Sequence, residues 1–175
     1  MEPMISEPNY LKWQKWLVSK AWFGRLWGFW AVDSVLLLFP LLIYFSLTGR
    51  LRIVLGALAS AIFGRYLVSP LIYLFYKKAR PYQSLKFALS RTGLFSRVVE
   101  RNNSFPSDHA TGLMAIAVFT VLFFPAWGAA LFLLALFNGI GRVILGYHYP
   151  IDVISGWVLG TVCGVLAFHF FPALI

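Results

Sequence analysis

The sequence predicts an all-α, polytopic membrane bundle of about five transmembrane helices, six if an amphipathic N-terminal helix also crosses. Three observations predict it. Hydrophobic residues make up 60% of the 175-residue chain and charged residues only 12%, against roughly 25% charged in an average globular domain. Mean hydropathy is +0.77. Apolar runs of roughly 20 residues, the length that crosses a bilayer core, recur along the chain.

The net charge of +9 would suggest nucleic acid in a water-soluble chain. Beside 7 Trp, 8 Tyr and 17 Phe it fits anionic lipid headgroups instead, so a membrane partner and no nucleic acid are expected. The single cysteine, Cys163, allows no intrachain disulfide. No removable signal peptide is read at the N-terminus.

Residues 8–26 interleave Lys12, Lys15, Lys20 and Arg25 with Trp13, Trp16, Leu17, Trp22 and Phe23, the pattern of a helix lying in the headgroup region. Residues 29–47 form the first expected span. Residues 51–76 form the second, long enough to tilt and expected to kink at Pro70. A polar loop, 77–106, is too short to be another domain. The third span begins at 107–109 and runs to 124, the fourth covers 126–145 and the fifth 150–171. With no repeat and no low-complexity tract, residues 1–175 read as a single integral-membrane domain.

This count brings three polar clusters to one side of the membrane. Arg142, His148 and Asp152 combine a phosphate-binding guanidinium, an imidazole able to attack phosphorus, and a carboxylate able to hold that imidazole's other nitrogen. Pro150 suits the first turn of a helix, placing His148 just ahead of it and Asp152 inside its first turn. Simple capping by Asp152 and an interfacial role for His148 are the bland alternative.

The second cluster, Pro106-Ser107-Asp108-His109, starts a helix at Ser107 or Asp108, whose exposed N–H groups suit a phosphate. Ser107 offers a hydroxyl and His109 a proton for a leaving oxygen. Capping alone is the simpler reading of Asp108. The third cluster is Lys77-Lys78-Ala79-Arg80-Pro81, in which Pro81 ends the second helix at Arg80. Lys77 and Arg80 then share a helical face and form a two-cation clamp. An ordinary basic flank is the alternative. Inside the bilayer, Asp33 and Arg65 suggest an ion pair, and His169 is interfacial.

In this order the clusters resemble the type 2 phosphatidic acid phosphatase superfamily of membrane lipid phosphatases. Its signature is Lys-x6-Arg-Pro, Pro-Ser-Gly-His and Ser-Arg-x5-His-x3-Asp, and the resemblance runs from Tyr73 to Asp152. It implies that His148 is a nucleophile forming a phosphohistidine, that Asp152 orients it and that His109 protonates the leaving group. Arg80, Ser107 and Arg142 would bind phosphoryl oxygens, with Asp108 beside them. The resemblance also implies no metal and no cofactor, and an anionic lipid phosphate as substrate.

Three positions depart from the signature. Tyr73 stands where the first lysine is expected, and Lys77, one turn on, is the candidate replacement. Asp108 stands for the glycine of the second motif, a variant similar to bacterial undecaprenyl pyrophosphate phosphatases. Gly141 stands for the serine of the third.

Undecaprenyl pyrophosphate is therefore the favoured substrate, with lipid A 1-phosphate or phosphatidylglycerophosphate open in the same class. A non-catalytic phospholipid-binding protein is the reading from another class, weakened by the two histidines and Asp152. Haloperoxidase chemistry belongs to soluble relatives. Two arguments conflict over sidedness. Cations from Lys12 to Arg25 and from Lys77 to Arg101 crowd the motif side, against Arg50 and Arg52 opposite, which favours a cytoplasmic site. The bacterial relatives act on the outer face of the inner membrane, and the reading leans that way.

Overall fold

The computed structural model describes residues 16, 19–84 and 103–170. Most of the expected interfacial helix and most of the polar loop, including Lys86, Arg91, Arg97 and Arg101, lie outside the described residues. The described chain is helical, with no strand. In order come α1 (Ala21–Ala31), a 3-10 turn (Asp33–Leu37), α2 (Leu38–Leu47) and α3 (Leu51–Phe75). After these follow the short α4 (Pro81–Ser84), α5 (Asp108–Val121), α6 (Pro125–Ile144) and α7 (Pro150–Phe170).

Local chemistry sets these limits. Pro81, Pro125 and Pro150 each open a helix, where a missing N–H costs nothing. Gly49, at φ +76°, turns the chain from α2 into α3. Residues Phe63–Val68 of α3 form a π turn immediately before Pro70. Pro70, where a kink is expected, lies just past this turn, and α3 runs on through it to Phe75. The wider turn accommodates a ring that would otherwise clash with the preceding turn's carbonyl.

Among the described residues three helices, α3, α6 and α7, are long and apolar enough to cross a membrane. The pair formed by α1 and the segment from Asp33 to Leu47, bent by 55°, makes a fourth if it is one span. The remaining expected crossing is α5, which ends at Val121. Its 14 residues rise only about 21 Å, less than a hydrocarbon core of roughly 30 Å. It nevertheless carries the chain from the site end, where α3 stops, to the far end, where α6 starts. It runs alongside α7 as the axis of the bundle, with Ala110 to Thr120 buried without interruption.

Gly156, Gly160 and Gly164 of α7 recur every fourth residue and face α5. A Cβ on these glycines would stand 2.7 Å from the Ser107 carbonyl oxygen, 2.4 Å from that of Thr111 and 2.8 Å from that of Ala115. The two backbones are therefore in contact, as small-xxx-small stripes allow where lipid offers no hydrophobic driving force.

The bend after α1 is held differently. Asn138 of α6 donates from Nδ2 to the Trp30 oxygen (2.9 Å) and the Ala31 oxygen (3.3 Å), and Arg142 Nη1 donates to Ala31 (2.9 Å). These carbonyls lose helical partners at the break, and two buried α6 side chains replace them. Below the bend, an apolar groove of about 540 Å³ lies between the α1–α2 arm and α6, lined by Trp30, Leu41, Tyr44, Trp127 and Phe137 among others.

Candidate active site

His148 is placed by the end of α6. Gly146, at φ +75°, follows the helix; its N–H reaches the Val143 oxygen (3.0 Å), and Tyr147 N–H reaches the Arg142 oxygen (2.9 Å). This pair of bonds is a Schellman ending, which reverses the chain and delivers His148 two residues later. The imidazole is 1% exposed. Its Nδ1 lies 2.8 Å from the Ser104 carbonyl oxygen, which can only accept, so Nδ1 carries the proton. Nε2 then holds a lone pair, 3.4 Å from Arg80 Nη1.

Asp152, fully buried in the first turn of α7, is the hub of the site. Its Oδ2 accepts from Tyr149 N–H (2.9 Å), an N3 carboxylate reaching back to the start of its helix. The same oxygen accepts from Ser104 Oγ (2.5 Å), while Oδ1 accepts from Lys78 Nζ (2.6 Å). Asp152 Oδ2 stands 4.0 Å from His148 Nδ1, too far for a hydrogen bond. The direct carboxylate–imidazole bond expected from spacing is thus replaced by Ser104. Its carbonyl takes the ring proton, its hydroxyl is anchored on Asp152, and that hydroxyl lies 3.5 Å from Nδ1.

The start of α5 meets this hub through backbone. Ser107 N–H donates to the Asp152 carbonyl oxygen (2.9 Å). Ser107 is the N-cap residue, yet its hydroxyl makes no cap bond. That Oγ is buried without a hydrogen-bond partner, available to a phosphoryl oxygen. His109 sits in the first turn of α5, within the field of Arg142, Arg65, His148 and Arg80. Asp108, 8% exposed, accepts from Tyr73 Oη at 2.6 Å. Two of the three departures from the signature therefore touch each other, and the Asp108 carboxylate is engaged by a phenol.

The third departure also has a cause. A Cβ on Gly141 would lie 3.0 Å from the Ala31 nitrogen and 3.2 Å from the Trp27 oxygen, so the end of α1 occupies the space a serine would need.

The cations divide unevenly. Arg80 (3% exposed) and Arg142 (1%) both turn inward. One arm of Arg142 is used on the Ala31 carbonyl and its guanidinium lies 5.2 Å from the Tyr147 ring, so it braces α1 as well as facing the site. The Lys77–Arg80 clamp required a helix through residue 80. Helix α3 ends at Phe75, Tyr76 is extended and residues 76–80 are not helical, which leaves Lys77 exposed and turns Lys78 inward to Asp152. Asn103 fixes this segment, accepting from Lys78 N–H (2.7 Å) and donating to the Tyr76 oxygen (2.9 Å).

Burial, and then the charges of Arg142 and Arg80, hold the His148 imidazole well below its ordinary pKa. The bond to the Ser104 carbonyl opposes this but does not prevail. The ring is consequently neutral at physiological pH.

Sequence reading placed His148, Asp152, His109, Arg80, Ser107, Arg142 and Asp108 in one cluster, and the structure gathers all seven at one end of the bundle. It missed Ser104, Lys78 and Tyr73 as contacts. Ser104 lay inside the quoted second cluster, but its role depends on a loop closure that spacing does not reveal. The described fold and this buried histidine, carboxylate and arginine set together define a multi-pass membrane protein with a polar site at the end of its helices.

The chain belongs to the PAP2 superfamily, whose family model matches residues 51–175. It is 39% identical over 67 residues to the undecaprenyl-diphosphatase BcrC of Bacillus subtilis, covering 38% of this chain and 35% of that protein. It is 41% identical over 58 residues to a lipid A 1-phosphatase of Rhizobium johnstonii (33% and 24%). An undecaprenyl-diphosphatase of Sulfolobus acidocaldarius is 41% identical over 59 residues (33% and 29%). These matches span about a third or less of each relative's length. No solved structure matches the chain.

Proposed function

We propose that this protein is a lipid phosphatase that hydrolyses a lipid phosphate or diphosphate through a phosphohistidine on His148, with undecaprenyl diphosphate the favoured substrate. The observation that carries this reading is the protonation pattern of His148. Nδ1–H is committed to Ser104, and the neutral Nε2 is aimed at the space beside the Arg80 guanidinium.

A phosphoryl group bound there would have its charge met by Arg80, Arg142, the Ser107 hydroxyl and the first N–H groups of α5. In the first step the Nε2–P bond forms and the bond from phosphorus to the leaving oxygen breaks, with the electron pair departing on that oxygen. His109 protonates an alcohol leaving group. In the second step water attacks phosphorus with His109 as base, the N–P bond breaks and inorganic phosphate leaves. Positioning and charge stabilisation supply most of the rate in phosphoryl transfer, in keeping with a buried, highly cationic site.

The names of the relatives support both diphosphate and monophosphate headgroups, so lipid A 1-phosphate stays the second reading. An active site facing the outer side of a bacterial inner membrane belongs to the same proposal. The test is phosphate release by the purified protein from a panel of lipid diphosphates and monophosphates, with and without EDTA. A trapped acid-labile phosphoenzyme is expected, with release unaffected by the chelator. Headgroup binding without any release would leave a phospholipid-binding protein in its place.

A further inference from the structure

Arg65 lies deeper in the bundle than the site described above, in the π turn of α3. Its neighbour Gly64 packs on α5 at Thr111, and its own Cδ is 4.0 Å from the position a Cβ on Gly112 would take. Gly112 is one turn below His109 on α5, so the bare glycine lets the arginine stem run along the helix face that carries His109. The charge of Arg65 acts on the His109 imidazole together with those of Arg142 and Arg80.

Four residues nearer the site on α3, Ser69 is fully buried and its Oγ has no hydrogen-bond partner. Four residues further, Tyr73 reaches Asp108. A polar line therefore descends from the site along the α3–α5 seam, with a cation and an unclaimed hydroxyl below the proposed leaving-group acid. Cationic side chains at such depth are costly and mark functional positions more often than not. Among the described residues at the site and just below it, the cations Arg65, Lys78, Arg80 and Arg142 outnumber the Asp108 and Asp152 carboxylates by two.

We propose that Arg65 and Ser69 form a second anionic subsite that receives the leaving phosphate of a lipid diphosphate, making Arg65 a determinant of diphosphate over monophosphate specificity. The inference rests on the phosphatase reading. The chemistry separates the two substrates. When a monophosphate is cleaved, the departing oxygen belongs to an alcohol and needs the proton of His109. When a diphosphate is cleaved, the bridging oxygen leaves with the bonding pair as part of a lipid phosphate, an anion stable without that proton. A fixed cation beneath His109 favours the second departure. Binding is also favoured, because the inner phosphate is charged before any bond breaks.

The test is Arg65→Met and Arg65→Lys, checked for folding by thermal melting in detergent. Phosphate release is assayed on one prenyl diphosphate and on the matching prenyl monophosphate. For Arg65→Met the ratio of kcat/KM values, diphosphate to monophosphate, should fall about 10- to 100-fold, the scale of a lost hydrogen bond to a charged group. Arg65→Lys should recover part of the ratio. Equal loss on both substrates, or no loss on either, overturns the proposal while leaving the phosphatase reading intact. Wild-type protein that releases phosphate from neither lipid removes the phosphatase reading, and this inference with it.

Discussion

Helices α5 and α7 meet backbone to backbone along a stripe of three glycines, whereas the α1–α2 arm approaches the α6 backbone at Gly141 and is otherwise tied to α6 by side chains beside an apolar groove. In the first contact three glycines bring carbonyls of α5 within reach of any added Cβ, and Ser107 N–H lands on the Asp152 carbonyl. In the second, a 55° bend is tied by Asn138 and Arg142, and about 540 Å³ of groove is left. The difference teaches where this fold needs exactness. The two segments that carry Ser107 and Asp152, from distant parts of the chain, are registered by atoms that cannot change rotamer, and the arm around them is held largely by side-chain ties that can give.

The largest expected effect lies at the centre of the close-packed region. His148→Ala should lower phosphate release by about 10⁴-fold or more, as removal of a nucleophile's unit does in comparable sites. Near-normal turnover with this variant, folded in detergent, would end the phosphohistidine mechanism.

Next come the glycines. Gly156→Ala presses on the Ser107 carbonyl and should cost activity by about 10²-fold, since small misplacements at a reacting centre are that costly. Gly164→Ala presses on Ala115 at the far end of the same seam and should leave turnover within a few-fold. Each should lose about 1–3 kcal/mol of stability by overpacking. Similar activity for both, measured alongside melting temperature, would show that the seam does not transmit its spacing to the site.

A smaller effect concerns pH. The folded His148 pKa is depressed, so the unfolded chain binds a proton more readily and stability falls as pH drops below about 6.5. The same shift keeps His148, the proposed nucleophile, unprotonated into mildly acid conditions. The acid limb of the kcat/KM profile assigned to His148 should lie below that value and move upward in Arg80→Gln, which removes a cation facing the ring. A limb that stays in place in the variant would count against this account of the field.

The mildest change is expected in the arm. Asn138→Ala removes the buried donor shared by the Trp30 and Ala31 carbonyls, which keep Ser34 Oγ and Arg142 Nη1. It should destabilise the protein by about 1–3 kcal/mol, with turnover per folded molecule little altered. Loss of turnover matching Gly156→Ala would erase the contrast between the two regions.

Much of this architecture was legible in the sequence because it depends on short-range rules. Apolar length marked α3, α6 and α7, Pro150 marked the start of α7, and one-sided topology gathered His109, His148 and Arg142. What stayed hidden depended on where helices stop and how closely they pack. The end of α3 at Phe75 moved the inward-facing cation from Lys77 to Lys78. The Ser104 relay requires the segment before α5 to fold back against residues 76–80, and Ser104 N–H to reach the Lys78 oxygen (2.8 Å). The departures at Tyr73 and Asp108 looked like two separate losses in one dimension and are one hydrogen bond in three.

The π turn at Phe63–Val68 carries a consequence for insertions and deletions. A π turn holds about one residue more than an α turn, so the helix beyond it is turned by roughly 100° relative to an uninterrupted one. Tyr73 and the inward segment after Phe75 lie beyond that offset. Removing one residue from the turn would restore ordinary winding without deleting any polar side chain if Leu67 or Val68 were the one lost. The lost residue and the restored winding cancel, so Ser69 and Tyr73 would stay in the seam. The same deletion in an α-wound stretch of α3 would swing them out by roughly 100°; the π turn is the place where this span tolerates a change of length.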